Sequence, residues 1–420
     1  MSDSSSKPLL KARRPVIFVD NSADLRDAVE RLSTYEGEFA LDAERASGFK
    51  YGQRAYLIQV ARRNGEIFLI DPAAISANAS PQPFETLSEL LKSDTWILHA
   101  ASQDLPCLAE LGLHPSRLID TELGSRIAGL PRVGLGAVVE HFLGLALAKE
   151  HSAVDWSKRP LDQSWLDYAA LDVDVLHELS DCLLADLTEK QKLDWAKQEF
   201  AHLLNFKPKP EKIDRWRGTT GLHEVKNQQG LAVARSLWQA REALAQKLDV
   251  SPGRLIPDLS IAHVAKFTPT SRPELASTKQ FAGRASRTYL DTWWAAIEEG
   301  KNSRDLPPLK LPSTGIPNHR NWPSKWPKAH ARLTCVRYFL NELAQQIGVP
   351  IENIVSPEIV RQLCWIERDS VDELTIAAEL RAFSIREWQI DLSAGLIADS
   401  INQSANFVAP APEETETPPS

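Results

Sequence analysis

Along Phe39-Ala40-Leu41-Asp42-Ala43-Glu44-Arg45 apolar and polar residues alternate, the period-two signature of a half-buried strand. Neighbouring side chains on a strand leave opposite faces. Asp42 and Glu44 therefore share one face while Leu41 and Ala43 turn to the core. Four other runs read as strands, 16–20, 55–61, 66–70 and 96–100, each apolar or β-branched and bounded by turn residues. Arg62-Arg63-Asn64-Gly65 predicts a hairpin turn that makes the strands carrying Gln59 and Ile67 antiparallel neighbours. Helical periodicity takes over at Asp104 and recurs over 121–128, 136–143, 163–184 and 189–204. Strands first and helices later predict a mixed sheet covered by helices.

In Leu166-Asp167-Tyr168-Ala169-Ala170-Leu171-Asp172-Val173 the i, i+4 spacing stacks Tyr168 and Asp172 on one side of a helix. Asp42, Glu44, Asp104 and Asp172 thus come from one strand and two helices. Carboxylate oxygens suit hard cations, which help neutralise phosphate charge, so the set points to metal-assisted phosphodiester chemistry. Each residue alone has a plainer reading. Asp-x-Glu on a strand is usually a solvated face, Asp104 between strand and helix can be an N-cap, and a lone tyrosine is more often core. Their joint occurrence, in order, favours the site.

A chain of 420 residues predicts two or three domains. The stretch 206–220 is basic and interrupted by proline, a linker pattern. Beyond it no strand pattern stands out, but there is an internal repeat. Leu244-Ala245-Gln246-Lys247-Leu248-Asp249-Val250 recurs as Leu343-Ala344-Gln345-Gln346-Ile347-Gly348-Val349, and the same offset aligns Leu255-Ile256 with Ile354-Val355. The expected order is a flexible start (1–14), an α/β domain (15–205), the linker (206–220) and a first helical bundle (221–302). A Pro-rich linker (303–327), a second, degenerate bundle (328–403) and a disordered tail (404–420) follow. Trp238, Trp293 and Trp294 read as bundle core, whereas Lys279, Arg284 and Arg287 could follow a phosphate backbone.

The scattered cysteines, with no CxxC pair, argue against zinc and a disulfide framework. No apolar run is long enough for a bilayer, and the first eight residues lack a signal-peptide core. A cytoplasmic location with no membrane association is expected. A net charge of −8 excludes a generally basic nucleic-acid binder but not local basic faces. No P-loop pattern is present, which excludes a helicase of that type.

The first two hundred residues resemble the DEDD superfamily of 3′→5′ exonucleases, and the whole chain is similar to the ribonuclease D family. Asp42-Ala43-Glu44 stands at the first motif, His99-Ala100-Ala101-Ser102-Gln103-Asp104-Leu105 at the second, and Tyr168-Ala169-Ala170-Leu171-Asp172 at the third in its tyrosine form. Asp155-Trp156-Ser157-Lys158-Arg159-Pro160-Leu161 also resembles that family, and the helical repeats resemble HRDC domains. The resemblance implies a ribonuclease H-like exonuclease domain with a mixed sheet, followed by two small all-α bundles. It implies two divalent metal ions, Mg²⁺ or Mn²⁺, with Asp42 bridging, Glu44 and Asp172 completing one site, and Asp104 acting on the second. Tyr168 would orient the attacking water. Arg45, where the family commonly has an uncharged residue, could stack on a base or meet phosphate. Gln59, His99 and Arg159 are further candidates for substrate contact. For His99 and Gln59 the plainer readings are a structural hydrogen-bonder and an edge-strand polar residue, and for Arg159 a salt bridge to Asp155 or Asp162. Pro160 suits the first turn of the next helix. The implied substrate is RNA, including precursor tRNA 3′ ends, with no obligate protein partner. The rivals are a DNA 3′→5′ exonuclease and an RNA-binding scaffold with a dead exonuclease fold.

Overall fold

The alternation at Phe39–Arg45 does form a strand, and it lies at the centre of the sheet. In the computed structural model, which describes residues 9–77, 82–147, 154–207, 213–311 and 315–408, the chain begins with β1 (Val16–Val19), α1 (Ser22–Ser33), β2 (Phe39–Arg45), β3 (Ala55–Arg62) and β4 (Ile67–Ile70). It continues through α2 (Pro72–Ala77), α3 (Glu85–Leu91), β5 (Thr95–Leu98), α4 (Leu105–Ala109), β6 (Arg117–Asp120), α5 (Thr121–Ala128) and α6 (Leu135–Leu143). Next come α7 (Gln163–Asp174), α8 (Leu176–Glu189) and α9 (Leu193–Leu203). The sheet order is β1-β4-β3-β2-β5-β6. β2, β3 and β4 are antiparallel, and parallel partners flank them on both sides. The hairpin turn carries Asn64 at φ 62°, the left-handed backbone such a turn requires.

Two features of the domain depart from the sequence reading. The helix expected over 163–184 is broken at Val175 into α7 and α8. Periodicity cannot register this break, because both halves bury an apolar face. Residues 9–14, expected to be flexible, are tied down. Leu9 N donates to Ala146 O at 2.7 Å, and Arg13 and Arg14 both reach the buried Asp174 at 3.0 and 2.9 Å. Burying a carboxylate is tolerated only with such partners.

Beyond the α/β domain the two repeats are built alike. Each has a 21-residue helix, α10 (Gln228–Leu248) and its counterpart Pro327–Ile347. Both end in a left-handed residue, Asp249 (φ 48°) and Gly348 (φ 58°), and a short helix follows, Pro252–Leu255 and Ile351–Ile354. Their packing differs. The first bundle has its own core around Trp216, Leu237, Phe281 and Trp293. Trp216 and Trp322, both placed by sequence in linkers, are buried parts of the bundles that follow them.

The second bundle shares one continuous apolar core with the face formed by α7, α8 and α9. Trp388 stacks on Trp195 with ring centroids 5.0 Å apart, and its indole N–H and Arg386 both donate to Glu199 at 2.9 and 2.7 Å. Gly129 (φ 89°) is needed at this junction, since a Cβ there would meet Gly348 O at 2.4 Å. No helix among the described residues is long and apolar enough to cross a membrane.

Candidate active site

The central strand projects Asp42 and Glu44 toward α7, which lies across β2, β3 and β4. From α7, Tyr168 and Asp172 face back onto them, and all four line one cleft of about 540 Å³ with Arg45, His99 and Asp104. Asp42, Glu44 and Asp172 each offer an oxygen within 4.8 Å of the other two. Asp104 lines the same cleft, its carboxyl close enough to that of Asp42 for each to shift the other. It occupies the N-cap position of α4, as the plainer reading has it, but its side chain makes no capping bond there. A register shift in the β2–β3 ladder falls between Glu44 and Arg45, and such bulges re-aim side chains. Arg45 Nη2 lies 3.9 Å from Asp104 Oδ1.

Asp104 is delivered by an unusual turn. Ala100 sits at φ 62°, a left-handed conformation that costs a non-glycine residue roughly 1–2 kcal/mol. Asp120, buried at the end of β6, accepts hydrogen bonds from the Ala100 and Ala101 N–H groups at 3.0 and 2.9 Å. The same carboxylate caps α5 through Glu122 N and Leu123 N at 2.9 and 3.1 Å. Charge-assisted bonds of this kind offset the strain. Asp120 thus holds the turn that aims Asp104, a role absent from the sequence reading. Asp followed by a helical pattern signals the cap, but nothing local signals the second task.

The electrostatics follow from crowding. Burial, then Asp42, pushes Asp104 up to about 9. Burial with the neighbouring carboxylates also drives Glu44 and Asp172 well above the usual range, and burial raises Asp42. Tyr168 is raised as well, by burial and then Asp172. A half-buried all-oxygen cluster, with only Asp104 buried, whose charges repel one another suits a hard divalent cation, which would relieve that repulsion. A raised carboxylate pKa contributes stability fully present below its unfolded value and lost as pH rises through the folded value. In chelator, the thermal midpoint should therefore fall from the ordinary carboxylate range up to about pH 9 for the Asp104 contribution. Mg²⁺ should flatten that fall. A midpoint difference between Mg²⁺ and chelator that does not widen with pH would contradict the electrostatic account.

The remaining candidates separate. His99 lines the cleft, with Nδ1 2.9 Å from Thr121 Oγ1, and burial lowers its pKa to about 4. Gln59 is on a central strand, not an edge, directly opposite Asp42 and fully buried. Arg159 is not in the cleft: it pairs with Asp71 at 2.5 Å and donates to Tyr56 O and Trp156 O at 2.8 and 2.7 Å. Asp71 takes the place of the expected partners Asp155 and Asp162. Asp71 is distant in sequence, so the fold alone reveals the partner. Pro160 lies outside α7, which begins at Gln163.

Comparison with known proteins agrees with this geometry. Residues 16–188 match a 3′-5′ exonuclease family, residues 230–297 an HRDC domain and residues 315–401 a 3′ to 5′ exonuclease C-terminal domain. The last is a separate family from HRDC, consistent with the different packing of the second bundle. Ribonuclease D of Gluconacetobacter diazotrophicus is 31% identical over 308 residues, covering 70% of this chain and 74% of that protein. Ribonuclease D of Zymomonas mobilis is 31% identical over 303 residues, with 70% and 74% covered. A crystal structure of a Bifidobacterium adolescentis protein superposes with TM-score 0.83 at 34% identity, over 96% of this chain and 100% of that one. Escherichia coli RNase D shares the fold, with TM-score 0.65 and 23% identity over 92% of this chain and 99% of that one.

Proposed function

This chain belongs to the ribonuclease D family and is a 3′→5′ exoribonuclease, and on that premise we propose that it trims RNA 3′ ends, those of precursor tRNA included, to nucleoside 5′-monophosphates using divalent ions. The observation that carries the reading is the convergence of Asp42, Glu44, Asp104 and Asp172 with Tyr168 in one cleft. Asp42, Glu44 and Asp172 would hold one ion, and Asp104 with Asp42 a second. Bound there, Mg²⁺ or Mn²⁺ would supply Lewis acidity that activates water and takes up charge on the leaving 3′ oxygen.

The chain's own groups do the positioning. Tyr168 is hydrogen-bonded to Asp172, and its raised pKa keeps the phenol protonated near neutrality. It orients the attacking water instead of deprotonating it. Arg45, beside Asp104 at the bulge, offers a guanidinium to a substrate phosphate. His99 helps wall the cleft around the terminal nucleotide. On the first bundle, Lys279, Arg284 and Arg287 are exposed, a basic tract suited to a phosphate backbone at a distance from the cleft.

The test offers RNA and DNA oligomers of matched sequence, and a precursor tRNA with extra 3′ nucleotides, to the full chain. Stepwise loss from the 3′ end, faster on RNA and stopping near the mature tRNA end, is the expected result. Equal or faster degradation of DNA would move the assignment to a DNA exonuclease, because a 2′-OH contact is then not used.

A further inference from the structure

Gln59 sits where an apolar residue would be the ordinary choice. On its face of the sheet, the flanking positions on β3 are Leu57 and Ala61, and its partner on β4 is Leu69. All three are buried in the core beneath α7. Its partner on β2 is Asp42, and Glu44, paired with Leu57, is the diagonal neighbour. Directly opposed side chains on an antiparallel pair come within about 5 Å at Cβ, and diagonal ones remain in reach of a long side chain. Gln59 has no exposed surface, and among the described residues neither its amide nitrogen nor its amide oxygen has a hydrogen-bond partner.

An amide left in that state has lost its hydration with no bond in exchange, a cost that Leu at the same position would avoid. The only polar groups the sheet places beside it are the carboxylates proposed to hold cations. A carboxamide is unlike those carboxylates in offering donors and an acceptor together. Mg²⁺ keeps part of its hydration shell when bound by few carboxylates, and those waters need acceptors. Groups behind the ligands orient them and are worth roughly 10–100-fold in metal affinity.

From this placement we infer that Gln59 is a positioning residue, whose amide donates to Asp42 and accepts from an ion-bound water once the site is loaded. It acts behind the cleft, not on the substrate, since the cleft lining does not include it. The inference rests on the cation reading of Asp42 and adds the residue that fixes that carboxylate's orientation.

The experiment uses the full chain and Gln59→Met, which keeps the side-chain length and removes the amide. Three quantities are measured: the thermal midpoint in chelator, Mn²⁺ affinity by calorimetry, and kcat and KM on a short RNA. The expected result is an unchanged or raised midpoint, Mn²⁺ affinity weaker by about 10-fold, and lowered kcat with KM for RNA unaltered. A lowered midpoint with unaltered Mn²⁺ affinity would overturn the inference, because it describes an amide satisfied within the core. Gln59→Leu gives the same readouts should the methionine variant not fold. Wild-type chain that takes up no Mn²⁺ would overturn the cation reading and this inference together, an outcome distinct from the first.

Discussion

Asp42→Asn should abolish hydrolysis while leaving the fold intact or slightly more stable. Asp42 is the carboxylate on which the others converge: it lies among the charges that raise Glu44, Asp104 and Asp172. Asparagine keeps the shape and removes the charge that a cation requires, so turnover should fall by about 10³-fold or more, the scale of losing a group that stabilises charge in the transition state. In chelator the same change removes one of several crowded, partly buried charges that repel one another, so the thermal midpoint should hold or rise. In Mg²⁺ the order should reverse, with wild type gaining more from the ion. Hydrolysis near the wild-type rate by an ion-saturated Asp42→Asn protein would contradict the assignment, and a chelator midpoint well below wild type would contradict the electrostatics.

A chain cut after Asn205 should fail to fold as an independent nuclease. The linker pattern after Phe206 suggests the opposite, a catalytic module separable from its helical appendages. The structure shows why separation fails for the second bundle. Trp388 covers Trp195, Glu199 receives both Arg386 and the Trp388 indole, and Lys192 donates to Ile127 O and Gly348 O at 3.0 and 3.2 Å. Removing the bundle bares the apolar faces of α8 and α9 and strips Glu199 of both its donors. Each large apolar side chain uncovered costs about 1.5–3 kcal/mol, and several such losses match the whole stability of a typical domain. Aggregated or molten protein, by circular dichroism and thermal melting, is the expected outcome. A monomeric fragment with a cooperative melt near the full-chain midpoint would show that the shared core is dispensable.

The first bundle is joined differently. It grips the loop after Arg45 through Ser251 N to Phe49 O at 3.0 Å, Arg254 Nε to Gly48 O at 2.7 Å and Lys50 with Asp249 at 3.2 Å. Beyond these polar contacts, among the described residues only Tyr51 packs on the bundle's core and Arg254 lies over the Phe49 ring, a small, mostly polar junction between two separate cores of the kind that leaves relative motion open.

What the sequence makes legible is what local periodicity encodes. Alternation at Phe39–Arg45 fixes that Asp42 and Glu44 share a face, and the i, i+4 spacing fixes Tyr168 with Asp172. Both pairs meet in the cleft as expected. The Asn64-Gly65 turn sets the β3–β4 pairing by its own backbone chemistry. The features missed depend on residues far apart in the chain. Arg159 finds Asp71, Arg13 and Arg14 find Asp174, and Asp120 braces the turn at Ala100. β6 is four residues long, with only Leu118 and Ile119 apolar, too short for alternation to stand out. Gln59 reads as an edge residue until the strand order puts it in the centre. The merging of the second bundle with the α/β core is equally silent, because an apolar helix face carries no record of which surface it covers.

One measurement tests the central claim most directly, that the four carboxylates hold divalent cations which make this cleft an exonuclease site. Metal-free chain is titrated with Mn²⁺ while ion uptake is followed by calorimetry and the products from a short RNA are identified at each point. Hydrolysis that is absent in chelator, rises with ion occupancy and releases nucleoside 5′-monophosphates from the 3′ end is the result the account predicts. Cleavage in chelator, cleavage at internal bonds, or full ion uptake by a protein lacking all four carboxylates would contradict it.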